Sequence, residues 1–209
     1  MTKTYEPHSL VIRNLAVLES APEIVREVEK AVFSAVHEKI EAWIAARENW
    51  DGTGDFPDGE NCFGPTAWKT AENDKRIAWF AIGPESDGDD YEYWLSALLG
   101  IVQDKYGIWV NFNTTWITRQ TGKGARPSAT WKKYLAEQFP LTKLGALGFE
   151  LEGEYLFLPI QVDGEALAED YPGSLQFVLE PVDDALRKLE AAHTEIDILL
   201  KAAQVKFGE

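Results

Sequence analysis

Cysteine is nearly absent from this chain: Cys62 stands alone among 209 residues. A lone thiol cannot close an intramolecular disulfide, so folding has to rest on a packed core, and a reducing cytoplasm is the compartment this usage predicts. Histidine is almost as scarce. His8, His37 and His193 are too far apart in sequence to make a local metal motif, and no G-x-S-x-G elbow presents a serine nucleophile. Positive charge is in deficit, with 20 Lys and Arg against 35 Asp and Glu and a formal charge of −15. Such a balance opposes direct binding to nucleic acid and to anionic membranes. Long apolar runs are missing too: residues 94–102 come nearest, but Ser96 and Gly100 interrupt them, and a membrane-spanning helix needs ~20 residues. Residues 1–20 hold no apolar h-region or cleavage motif, so no secretory leader is expected. No repeat and no Gly/Ser/Pro-rich linker divides the chain, which predicts a single domain over residues 1–209.

Apolar and aromatic residues are plentiful, at 45% hydrophobic with eight Trp, ten Phe and seven Tyr, so a packed core is expected. Residues 21–48 carry Ile24, Val25, Val28, Val32, Val36, Ile40, Trp43 and Ile44 at helical spacing. Ser20 and Glu23 form a capping box ahead of them, with Pro22 in the first turn. Between Trp68 and Trp116 the period changes to two. Strand-length pieces are expected at residues 68–70, 77–82, 91–101 and 108–115, with a tight turn at Asn73 and Asp74 and an acidic loop over residues 83–90. In the last piece Ile108, Val110 and Phe112 point one way and Trp109, Asn111 and Asn113 the other, as in an antiparallel sheet covered on one face.

Ser128 is positioned to cap a helix through Trp131, Leu135 and Phe139, which Pro140 stops. Residues 149–160 read as a hairpin turning near Gly153, and residues 163–170 as a short helix. Pro181 opens a last helix, where Val182, Ala185, Leu186, Leu189, Ile196, Leu199, Leu200 and Ala203 form one apolar stripe. The fold class that follows is α+β, an antiparallel meander of about six strands packed by long N-terminal and C-terminal helices and one or two shorter ones.

Two constellations carry chemistry. Residues 49–60 place oxygen-bearing Asn49, Asp51 and Thr53, then Gly54 and finally Glu60, where a calcium loop sets its first, third, fifth, sixth and twelfth positions. Asp51, Asp55, Asp58 and Glu60 are the candidate ligands, and calcium is the one cofactor the spacing admits. Pro57 and the poor helix start after Glu60 fit an ordinary acidic loop instead. The second constellation is acidic: Glu85, Asp87, Asp89, Asp90 and Glu92 fall in one loop, and Glu150, Glu152 and Glu154 in another. Against these, the only basic segment runs through Arg119, Lys123, Arg126, Lys132 and Lys133, without phosphate-loop spacing.

Eight Trp exceed what a core of this size requires. Trp109 falls on the polar face of its strand and Trp116 at an element end, a composition typical of interfaces. A helix on each sheet face would instead bury Trp109. The expected function is therefore non-catalytic binding of a basic protein partner through Glu85, Asp87, Asp89, Asp90, Glu92, Trp109 and Trp116. An inhibitor, immunity factor or adaptor that masks a nucleic-acid-binding groove would work this way. The alternative is a metal-assisted hydrolase or nuclease-like enzyme whose carboxylates meet only in the fold.

Overall fold

A computed structural model describes residues 6–53, 62–70, 75–84, 93–118 and 126–208. Helix α1 (Glu6–Arg13) leads into the long α2 (Leu15–Ala45). Strands β1 (Trp50–Thr53), β2 (Cys62–Pro65) and β3 (Ala78–Pro84) follow, then helix α3 (Trp94–Leu98) and strand β4 (Tyr106–Phe112). Helices α4 (Thr114–Ile117) and α5 (Pro127–Gln138) precede the hairpin β5 (Glu150–Glu152) and β6 (Tyr155–Ile160). Helices α6 (Gly164–Asp170) and α7 (Glu180–Gly208) end the chain. All pairings are antiparallel, in the order β1-β2-β3-β4-β6-β5, so a meander from β1 to β4 is extended by a hairpin whose second strand lies inside.

The alternation in β3 and β4 decides where the core lies. Ala78, Phe80 and Ile82 are buried while Trp79 and Ala81 are half-buried, and Ile108, Val110 and Phe112 repeat that pattern in β4. Across the sheet, Phe63, Phe80, Val110, Leu156 and Leu151 form one row on the inner side. Both long helices pack on that side. Phe33 of α2 meets Tyr106 at 5.3 Å between ring centroids. Trp50 stacks on Phe80 at 5.5 Å and is approached by Trp43 of α2 at 4.7 Å and His193 of α7 at 5.9 Å. The helices are tied together by ion pairs Lys39–Asp183 and Arg47–Glu190, each at 2.6 Å. An arrangement with one helix per sheet face is thereby excluded. The apolar stripe expected of α7 is buried from Val182 to Ala203, and at about 1.5–3 kcal/mol per large apolar side chain it holds the helix on the sheet.

Several boundaries differ from the sequence reading, each for a local reason. Helix α2 starts at Leu15, so Ser20 is internal and its hydroxyl donates to the carbonyls of Ala16 and Val17 instead of capping. Of the strand expected at residues 91–101, the described residues 93–101 hold none: the apolar run Trp94–Leu98 folds as the short helix α3, burying Leu95, Ala97 and Leu98. A carboxylate of α2 assists it, since Glu29 accepts a hydrogen bond from the Leu95 amide at 3.0 Å. Periodicity cannot separate a short buried helix from a buried strand. Helix α5 opens on Pro127, one residue before the expected cap.

Strands β1 and β2 were not legible, because each is four residues long and contains a glycine. Gly52 adopts φ +123°, and a Cβ there would lie 2.2 Å from the Cys62 carbonyl oxygen. The turn at Asn73 and Asp74 falls outside the described residues, but its flanks pair: Lys69 bridges Arg76, and the Thr70 amide donates to the Lys75 carbonyl at 2.6 Å.

Helix α1 and the N-terminal end of α2 run past the core. Leu10, Val11, Ile12, Leu15, Val17, Leu18 and Ile24 are exposed, whereas burial on α2 begins at Val32. No helix among the described residues is long and apolar enough to cross a membrane.

Two facing glycines give a test of this packing. Gly107 has Leu158 O at 2.2 Å and Phe157 Cζ at 2.8 Å from an added Cβ, while Gly83, its partner in β3, has nothing within 4 Å. Gly107→Ala is expected to lower unfolding free energy by about 1–3 kcal/mol. Gly83→Ala is expected to stay within about 1 kcal/mol of the parent, on the stabilising side. Urea denaturation of both variants checks the pair.

Candidate functional site on the open face of the sheet

The face opposite the helices carries its own cross-strand row. Ala81, Trp109, Phe157 and Glu150 lie side by side across β3, β4, β6 and β5, with Tyr155 beside Glu152 one step along. The row turns on the absence of a side chain at Gly107. The Phe157 ring occupies the space a Cβ would fill there and is fully buried, outside the main hydrophobic cluster. Trp109 packs on it at 4.6 Å, and Tyr155 meets the Trp109 ring edge-on at 6.0 Å. The indole is fixed in place because its Nε1 donates to the Pro84 carbonyl at 2.9 Å. Trp109 is thus half-buried and faces away from both long helices.

Carboxylates border these rings. Glu150 pairs with Lys105, and Glu154 accepts from the Tyr155 hydroxyl at 2.9 Å. Burial, then the hydrogen bond to and the charge of Glu154, push the Tyr155 hydroxyl above its usual range, so the phenol stays neutral. Trp116 has a different setting. It sits in α4, half-buried against the main cluster, with its backbone amide donating to the Asn113 side chain at 3.0 Å. Glu85, Asp87, Asp89, Asp90 and Glu92 lie outside the described residues.

At the far edge of the same face, Asp51 anchors a charged clamp. Its carboxylate takes Lys69 at 2.6 Å through one oxygen and Arg76 through the other. The Arg76 guanidinium also donates to the Pro65 carbonyl at 3.0 Å and the Asp51 carbonyl at 3.1 Å, with only 8% of its side chain exposed. One arginine therefore ties β1 and β2 to the segment entering β3. Burial pushes the Asp51 carboxyl up, but hydrogen bonds and charge from Lys69 and Arg76 outweigh it and hold the group below its ordinary value of 3.8.

This clamp bears on the calcium reading. Asp55, Asp58 and Glu60 lie outside the described residues, and both Asp51 oxygens already face cations. Among the described residues, no group of three His, Cys, Asp or Glu is placed to hold a metal ion. Lys69 and Arg76 were missed in the sequence. The available signal was their near-symmetry about Asn73 and Asp74, which a hairpin converts into adjacency. The basic segment singled out earlier places Arg126 and Lys133 with Lys206 and Tyr134 around a cleft of about 380 Å³ between α5 and the end of α7.

Compared with family models, with curated proteins and with solved structures, the chain matches none.

Because folding lowers the Asp51 pKa, its contribution to stability is present above 3.8 and lost as pH falls through the folded value. Asp51→Asn is expected to cost about 1 kcal/mol at pH 7 once solvent screening of this partly exposed group is allowed for. The gap between variant and parent stays level from about pH 5 to 8 and closes below 3.8, which denaturation across pH reads directly. Since its two oxygens are taken, millimolar calcium is expected to leave the melting temperature unchanged, whereas a ligand binding only the native state would raise it.

Proposed function

We propose that this chain is a non-catalytic protein-binding protein of the inhibitor, immunity or adaptor kind, which docks a basic partner on the open face of its sheet. The observation that carries this reading is the row Ala81, Trp109, Phe157 and Glu150, with Tyr155 and Glu152 alongside. Indole and phenol rings held rigid by packing lose little entropy on binding, and a carboxylate border selects for positive charge in the partner. A net charge of −15 draws a basic surface in from a distance and repels acidic ones. A groove that ordinarily holds nucleic acid is the class of surface such an acidic face would mask. The exposed apolar residues Leu10, Ile12, Leu15 and Val17 supply a second surface suited to the same kind of work.

Affinity capture from the source cell, followed by reconstitution with the recovered partner, tests this. Trp109→Ala is expected to weaken the complex about tenfold or more, as a central aromatic anchor does. Glu152→Lys, which leaves the Phe157 packing intact, is expected to slow association and flatten its salt dependence. A complex indifferent to both substitutions contradicts the proposal.

A further inference from the structure

The exposed apolar residues of α1 and early α2 are ordered by a repeat of seven. Val11, Leu18 and Val25 form one line along the helix, and Leu10, Val17 and Ile24 form a second beside it. The first line continues to Val32, which is fully buried in the core, whereas every residue from Ser9 to Ser20 is exposed. A stripe that the body covers farther along α2 is thus bare over its first turns. The hydrogen-bond ladder carries on across the junction of the two helices: the Asn14 amide donates to the Leu10 carbonyl at 3.1 Å, and the Leu18 amide to the Asn14 carbonyl at 2.9 Å.

Such an arm calls for a cover. Seven large apolar residues on it are between 46% and 73% exposed, and clustered exposure of this kind marks an interaction surface. Pro22 lies inside α2 and removes a ladder bond, and a helix without tertiary packing is marginal in water.

We propose that this arm pairs antiparallel with the same arm of a second copy of the chain, in an overlap centred at Ala16 and Val17. The repeat of seven is the pattern by which two helices pair. In that overlap Leu10 faces Ile24 of the second copy, Val17 faces its own counterpart, and Val11 faces Ala21 of the second copy. Arms paired over residues 7–25, about 28 Å of helix, bury on the order of 1,000 Å² in total, the size from which a specific interface holds.

Charge selects both the occupant and the direction. Residues 9–18 hold Arg13 as their one charge, while residues 19–29 hold Glu19, Glu23, Glu27 and Glu29 against Arg26. Antiparallel pairing lays the basic tip of each arm along the acidic stem of the other. It also keeps two bodies of strongly negative charge at opposite ends of the overlap, beyond the roughly 8–10 Å over which salt leaves a charge felt. Parallel pairing would set like charge on like and bring the bodies side by side.

Sedimentation velocity of the full chain over a concentration series tests this, and a monomer–dimer equilibrium is expected. Leu18→Glu is expected to weaken it about a hundredfold or more, because each dimer then holds two uncompensated charges among apolar groups. Leu18→Ile is expected to retain it. Leu18 is exposed in the single copy, so both variants are expected to keep the parent's melting temperature at concentrations where the parent is monomeric. Direction is read in a Cys62→Ser background: Leu10→Cys mixed with Ile24→Cys is expected to form a disulfide-linked dimer on oxidation, and neither variant alone to do so.

A chain that stays monomeric at about 0.5 mM, well above the range in which an interface of this size assembles, overturns the proposal. So does a dimer indifferent to Leu18→Glu. Self-linkage of Leu10→Cys overturns the antiparallel arrangement, and a monomer that sediments with phosphatidylcholine vesicles overturns the second copy in favour of a lipid surface. The arm shares no residue with the Trp109 row, so its failure leaves the protein-binding reading of that row standing.

Discussion

Alternation along β3, β4 and β6 is the constraint on which the rest of this molecule depends. Side chains at every second position face the same way, so Phe80, Ile82, Ile108, Val110, Leu156 and Leu158 commit one side of the sheet to burial. Both long helices then compete for that side and settle against each other as well as against the strands. The Trp50, Phe80 and His193 contacts mark where sheet and C-terminal helix meet, and Trp43 brings α2 to the same point. The opposite side is left to short-range packing. There the rings of Trp109, Phe157 and Tyr155 close over a backbone kept bare at Gly107.

That division also explains how a strongly acidic chain keeps its cations. Lys69 and Arg76 are spent on Asp51 and on the carbonyls of β1 and β2, where a guanidinium can satisfy several acceptors at once. Short strands such as β1 and β2 bury little apolar area and have only a few ladder bonds. A partly buried arginine that joins three segments offsets that weakness.

Much of the architecture was legible in the sequence because it rests on long, regular patterns. The stripe from Val182 to Ala203 and the two-faced strand at Ile108 to Phe112 are repeated signals, and one irregular residue cannot disguise them. Short elements behaved differently. Residues 94–98 satisfy strand and helix templates alike, and the helix they form uses contacts distant in sequence, among them Glu29, which accepts a hydrogen bond from the Leu95 amide. The start of α2 was misplaced because Ser20 and Pro22 mimic a cap, while Asn14 and the turns above them continue the helix. Strand parity alone set Trp109 on the face of β4 away from Ile108 and Val110. The Asp51 clamp was missed although a turn at Asn73 and Asp74 was expected: that turn sets Lys69 beside Arg76, but nothing in the local pattern brings Asp51 to them.

The central claim is that the sheet is covered on one side and presents aromatic groups on the other. The most direct measurement is attenuation of Trp and Tyr signals by a soluble, uncharged paramagnetic probe in NMR. The account predicts strong attenuation at Trp79, Trp109 and Tyr155 and protection of Trp68 and Trp131, both of which are buried. Equal protection of Trp109 and Trp131 would contradict it.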